Sequence, residues 1–265
     1  MAQTIANDTL LATGANTPVA EARYSLNGRK KPLRAWDGFD AYLFDIDGTL
    51  LRSRDRVHYS SFAESLFAVT GLQGTLDGIA LHGNTDTAIL QEVLRRQNIP
   101  ASEAAALIPR ILDAMRQIVF AKKHTIVVYP MPGVFATLEH LRLQHRLLGL
   151  GTGNLESIGW LKTEICGLRD YFTFGAFSDL FAQRAALIAN GAEQARSLAG
   201  TQARICVVGD TPMDIAAAHT NSLPVIAVAT GAFTLEQLSP YTPDFAVSTL
   251  QGLTPESSPT ILAEP

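Results

Sequence analysis

The sequence predicts an α/β protein of three layers, a parallel sheet packed between helices, with a small helical insert after the first strand. Three observations carry that prediction. Short apolar runs alternate with longer segments of helical period. Most of those runs lack the polar–apolar alternation of a strand with one wet face, which points to strands buried on both faces. The first run is separated from the second by a long stretch whose apolar residues recur only at three-to-four spacing.

In chain order, the strand-like runs are AYLFD (41–45), RLLGLGTG (146–153), FTFGAF (172–177), RICVVGD (204–210), PVIAVATG (224–231) and DFAVS (244–248). Helical segments fall between several of them, near 133–145, 155–167, 183–199 and 212–220. The insert covers 57–128. YSSFAESLFAVTG, TDTAILQEVLRRQNI and SEAAALIPRILDAMRQIVFAKK each carry a helical apolar stripe, and Gly71 and Pro100 mark the breaks between them. The expected organisation is an N-terminal extension over 1–38, a core built from 39–56 and 129–265, and the helical insert over 57–128. The extension is rich in Ala, Thr and Asn. Its NG pair at 27–28 is a candidate tight turn, and its RKKPLR cluster at 29–34 reads as a solvated surface.

Composition narrows the function classes. Of 265 residues, 47% are hydrophobic and 17% charged, which suits a packed enzyme rather than a disordered scaffold. The net charge of −4 gives no general pull toward nucleic acid or an anionic membrane. Cys166 and Cys206 are the two cysteines, too few for a disulfide framework. Cys206, inside ICVVG, reads as a core residue. No apolar run has the length of a membrane helix, and the N-terminus lacks the basic-then-apolar pattern of a signal peptide, so a cytoplasmic location is expected.

Ligands of such sheets bind at the carboxyl ends of the strands. The first strand ends in Asp45-Ile46-Asp47-Gly48-Thr49, the second in Gly151-Thr152-Gly153-Asn154, and the fourth in Gly209-Asp210-Thr211-Pro212-Met213-Asp214. Four carboxylates gathered in one cleft repel each other unless a cation joins them. Oxygen donors with no His or Cys among them favour a hard ion, and Mg2+ is the usual one. The Asp-Gly-Thr and Gly-Thr-Gly turns offer N–H groups and hydroxyls suited to an anion. Read alone, each motif is also a capped turn, and GDTPMD is also a capped helix with Pro at its first turn.

Together, DIDGTLL, LGTGN and VVGDTPMDIAAA resemble three motifs of the haloacid dehalogenase superfamily of phosphohydrolases, over roughly 40–250. The C-terminal part resembles the phosphoglycolate-phosphatase-like branch, and the insert resembles that branch's small helical cap. The resemblance implies a Rossmann-like core and an Mg2+-dependent phosphatase acting on a small phosphorylated metabolite, phosphoglycolate by default. It implies roles residue by residue. Asp45 is the nucleophile and Asp47 the general acid and base. Gly48 allows the turn, and Thr152 and Gly153 hold the phosphoryl group. Asp45, the backbone carbonyl of Asp47, and Asp210 hold the metal, with Asp214 assisting.

The family's third motif needs a cation, and no GKP is present. Arg184, at the start of a helix, is the choice, since a guanidinium fits phosphate bidentately. Lys162 is the runner-up; mid-helix in IGWLKTEI, it reads as a solvated face. Where many relatives have Gly, this chain has Asn221-Ser222, which implies a local change of turn. In the insert, LHGNTDTAIL resembles a cap loop whose Gly83, Thr85 and Asp86 line the substrate cleft; the other reading is that Thr85 or Asp86 caps the next helix. His58 and His82 read as ordinary polar residues. A phosphosugar mutase and a catalytically silent binding relative remain as alternatives. A phosphonate hydrolase would need a Schiff-base lysine such as Lys122 or Lys123. The oligomeric state is open between monomer and dimer.

Overall fold

Phe44 and Tyr42 point to one side of the central strand, Leu43 and Ala41 to the other, and all four side chains are fully buried. That two-sided burial explains why the run AYLF shows no polar alternation. The computed structural model describes residues 35–254, so the NG pair and the RKKPLR cluster lie outside the described residues.

Strand β1 (Ala41–Phe44) is flanked by β4 (Leu147–Gly151) and β6 (Ile205–Gly209). Beyond them lie β5 (Phe174–Ala176), β7 (Val225–Val228) and β8 (Phe245–Val247), giving the order β5-β4-β1-β6-β7-β8. Every pairing in this sheet is parallel. Helix α4 (Val134–Leu143) packs on the face that carries Tyr42, Phe44, Cys206 and Val208. Helices α6 (Arg184–Ala199) and α7 (Pro212–Thr220) pack on the opposite face. This is the three-layer, Rossmann-like α/β architecture expected from the sequence.

The insert holds α1 (Val57–Thr70), α2 (Asp86–Arg96) and α3 (Ala101–Ala121). Gly71 ends α1 in the left-handed region at φ +72°, where glycine carries no side-chain penalty, and its N–H donates to Phe67 O. The three helices bury a common core that includes Leu66, Leu90, Ile111 and Met115. That core also takes in Leu155, Ile158 and Leu161, on or next to α5 (Glu156–Ile165), the helix that follows β4.

One feature had no local signature in the sequence. β2 (Leu51–Ser53) and β3 (Val128–Pro130) form an antiparallel ladder where the chain leaves for the insert and where it returns. The partners are far apart in sequence, so no turn signal announces them. In the Asn221-Ser222 turn, Ser222 adopts φ +55°, a conformation usually left to glycine. A short α8 (Leu235–Leu238) follows β7. Among the described residues, no helix is long and apolar enough to cross a membrane.

Candidate active site

Four strand ends converge in one cleft between sheet and insert. The Asp45 N–H still donates to Val208 O, 2.9 Å, so the ladder holds this residue in place as β1 ends. Gly48 then turns at φ +95°. A Cβ there would stand 2.3 Å from Asp210 Oδ2, so the close approach of the ends of β1 and β6 requires glycine. Thr49 Oγ1 donates to Asp210 Oδ1, 2.8 Å, and Thr230 Oγ1 donates to Gly48 O, 2.6 Å. The turn is therefore tied to β6 and to the loop after β7.

Asp210 leads into α7, whose N-cap is Thr211. Thr211 Oγ1 donates to Asp214 Oδ2, 2.6 Å, and accepts from the Asp214 N–H, 3.2 Å, while the Thr211 N–H donates back to Asp214 Oδ2, 3.0 Å. This capping box, with Pro212 in the first turn, is the capped helix the sequence allowed. It also aims the other Asp214 oxygen at the cleft. One carboxylate oxygen each from Asp45, Asp210 and Asp214 lies within 4.8 Å of the other two, and all three residues are buried.

The charges are not balanced. Arg184, the first residue of α6, is buried, with Nη2 2.9 Å from Asp45 Oδ1 and 2.5 Å from Asp214 Oδ1. Burial opposes its charge, but Asp214 and Asp45 overcome that and raise its affinity for the proton. One guanidinium among three carboxylates leaves a surplus of negative charge. Burial, then the charges of Asp45 and Asp214, push Asp210 up to about 8; burial pushes Asp45 up to about 6 against the pull of Arg184. Three buried, all-oxygen donors with surplus charge fit a hard divalent cation such as Mg2+.

Asp47 has a different environment. Lys162 Nζ donates to Asp47 Oδ2, 2.7 Å, to Asn154 Oδ1, 2.8 Å, and to His58 Nδ1, 3.1 Å. Burial would raise the Asp47 carboxyl, but Lys162 outweighs it and holds the group below its ordinary value. Lys162 is 3% exposed. The expectation that it lies on a solvated face is thus wrong: four residues after Ile158, it continues the buried stripe of α5. Arg184 and Lys162 both reach the cleft, one beside each of the first strand's acids.

His58 also departs from expectation. An ammonium can only donate, so His58 Nδ1 is the acceptor and Nε2 carries the hydrogen. Nε2 donates to Asp86 Oδ2, 3.0 Å, and the same oxygen accepts from the Leu155 N–H, 2.9 Å. A hydrogen-bonded chain therefore runs from Asp86 and His58 of the insert through Lys162 to Asp47. Asn154, which the motif reading left without a role, donates from Nδ2 to both Asp47 Oδ2 and Thr152 Oγ1, each at 2.8 Å. Thr152 is fully buried at the end of β4.

The loop before α2 seals the insert onto the core. Thr85 caps α2, accepting from the Ala88 N–H, and its hydroxyl donates to Ala182 O, 2.7 Å. With both jobs filled and no side-chain exposure, Thr85 does not line the cleft; capping, the other reading, is what the structure shows. Gly83 and Asp86 do line it. Gly83 O accepts from Arg184 Nη1, 3.0 Å, and the Asp86 N–H donates to Gly153 O, 2.8 Å. A Cβ on Gly153 would stand 2.1 Å from Asn84 O, so this contact also needs glycine. His82 is exposed at the edge of the same cavity.

The haloacid dehalogenase-like hydrolase profile matches residues 42–228. The chain belongs to that family. It is an enzyme of the hydrolase class, as its motifs led us to expect. Phosphoglycolate phosphatase of Mesorhizobium japonicum is 26% identical over 218 residues, covering 81% of this chain and 92% of the relative. A predicted phosphatase of Clostridium acetobutylicum superposes with a TM-score of 0.61 at 21% identity, over 81% of this chain and 96% of that one. A beta-phosphoglucomutase of Clostridium difficile superposes with a TM-score of 0.56 at 15% identity, over 82% and 93%. These two structures share the fold.

Proposed function

We propose that this hydrolase is an Mg2+-dependent phosphatase that cleaves a small phosphorylated metabolite through an aspartyl-phosphate on Asp45. The observation that carries the reading is the pairing at the end of β1: Asp45 faces Arg184 and the buried acid cluster, while Asp47 faces Lys162. Two neighbouring acids in different surroundings suit two roles. Residues 57–128 act as the cap, over a core formed by 39–56 and 129–265.

Asp45, Asp210 and Asp214, with the backbone carbonyl of Asp47, would hold the metal. When bound, Mg2+ supplies positive charge that lets a phosphate dianion approach a carboxylate. Asp45 attacks phosphorus, and the bond to the leaving oxygen breaks as Asp47 gives that oxygen a proton. Asp47 then takes a proton from water as the water oxygen bonds to phosphorus and Asp45 is released. Arg184 offsets charge on Asp45, and Thr152 with Gly153 orients the phosphoryl oxygens. Lys162 holds Asp47 ionised before substrate arrives; an incoming dianion competes for that ammonium and raises Asp47's hold on a proton. The insert covers the cleft and narrows its access to water.

The mutase reading has a neighbour of that fold in its favour, and it predicts return of the phosphoryl group to a sugar rather than to water. The phosphonate-hydrolase reading loses its lysine. Lys122 pairs with Glu64 on the surface of the insert and is absent from the cavity wall, as is Lys123. The test is phosphate release from a panel of phosphorylated metabolites, with Mg2+ and with excess chelator. Release to water that needs the metal supports the phosphatase; transfer only to a phosphosugar favours the mutase.

A further inference from the structure

The cavity holds more than the phosphoryl site, and half of its lining residues come from the insert. Phe62, Leu76 and Ile89 are 5%, 7% and 4% exposed and line it together with Leu81. The whole cleft holds about 220 Å³. A leaving group bound beyond phosphorus meets this wall.

The cations on the wall already face acids, and among their donors only the buried Arg184 Nε lacks a partner. All three Lys162 donors are used, on Asp47, Asn154 and His58. Arg184 is shared between Asp45 and Asp214 and donates to Gly83 O. Both His58 ring nitrogens are bonded. Asp55 and Asp86, the other acids lining the cavity, have no Lys or Arg partner among the described residues. Asp55 accepts from the backbone N–H groups of Val57 and Val127, and Asp86 from His58 and the Leu155 N–H. Among the described residues lining the cavity, exposed His82 is the one further group able to carry positive charge, and Tyr59 adds a neutral hydroxyl. A carboxylate moved here would lose water, gain no firm partner and face two like charges. An apolar surface would gain contact with Phe62, Leu76 and Ile89.

We infer that the leaving group accepted by this site is an uncharged alcohol with an apolar face, not a carboxylate such as glycolate. The inference rests on the phosphatase reading above. It concerns substrate choice alone: in each case the phosphorus–oxygen bond breaks, the alcohol leaves with a proton, and water supplies the oxygen of the released phosphate.

The test compares kcat/KM for benzyl phosphate and phosphoglycolate with Mg2+, in wild type and in Leu81→Lys, with p-nitrophenyl phosphate as a general ester. Wild type should favour benzyl phosphate by about tenfold or more, mainly through KM, which corresponds to about 1.4 kcal/mol. Leu81→Lys should improve phosphoglycolate and leave benzyl phosphate no better. Phosphoglycolate as the equal or better wild-type substrate overturns the inference and leaves the phosphatase reading standing. Hydrolysis of p-nitrophenyl phosphate but of neither alkyl ester also overturns the inference alone. Hydrolysis of no ester overturns the phosphatase reading and this inference with it.

Discussion

Lys162 Nζ lies 2.7 Å from Asp47 Oδ2, so the acid proposed to handle protons is held by a buried ammonium from the helix after β4. A hydrogen bond to a charged group contributes about 1.5–3 kcal/mol. If that bond places Asp47 for reaction, Lys162→Met lowers kcat by about 10- to 100-fold, with a smaller change in KM. Met keeps the apolar stem but leaves Asp47, Asn154 Oδ1 and His58 Nδ1 without their buried donor, so the melting temperature should fall by several degrees as well. Steady-state kinetics beside a thermal melt checks this; an unchanged kcat would remove Lys162 from the catalytic arrangement.

Asp86 joins the insert to the core by accepting from both His58 and the Leu155 N–H with one oxygen. Leu155 immediately precedes α5, and its N–H finds its acceptor in Asp86 across the interface, while the first-turn N–H of Glu156 donates to Asp179. Asp86→Ala should cost about 1–3 kcal/mol of stability by leaving a buried donor unmet. It should also lower kcat, since His58 then loses the partner that fixes its tautomer. Urea unfolding and kinetics measured on the same preparation test both parts. Loss of stability with kcat intact would confine Asp86 to capping.

Stability should depend on pH and metal together. Asp210 is pushed up to about 8 and Asp45 to about 6. Unfolded Asp titrates near 4, so between about 4 and 8 the metal-free native state binds more protons than the unfolded state. The slope of stability against pH is then negative, and metal-free stability falls as pH rises through that window. A divalent cation competes with those protons, so its stabilising effect grows over the same range. Melts at about pH 5 and about pH 8, with Mg2+ and with chelator, should show the larger gap at the higher pH. Equal gaps would contradict the charge arrangement.

Gly153→Ala should disturb both closure and the phosphoryl seat that Gly153 shares with Thr152. The added methyl would stand 2.1 Å from the Asn84 carbonyl, so the loop before α2 must move. The expected result is a raised KM and a melting temperature lowered by several degrees, in keeping with about 1–3 kcal/mol for overpacking. Kinetics with an unchanged KM would argue that this contact does not limit substrate binding.

The parts of the site that lie on one strand end were legible in the sequence; those assembled across elements were less so. Asp45, Asp47, Gly48 and Asp210 stand where apolar runs stop, and strand ends of a doubly wound sheet are where ligands bind. The sheet was legible because two-sided burial removes alternation from β1, β6 and β7. Lys162 was misread because a lysine inside a helix is usually solvated, although its spacing from Ile158 placed it on the buried stripe. His58 gave no signal, and Asp86 was legible only as a cleft-lining or capping residue: their partners lie on α5 or just before it, brought close only when the insert folds onto the core. The β2–β3 ladder escaped notice for the same reason.

The most direct test of the account is phosphate release from p-nitrophenyl phosphate by wild type and Asp45→Asn, each with Mg2+ and with excess chelator. The account predicts release by wild type that chelator abolishes, and a loss of at least about a thousandfold in Asp45→Asn with the melt unchanged. Near-wild-type release by Asp45→Asn would contradict Asp45 as the nucleophile and, with it, the mechanism proposed for this cleft.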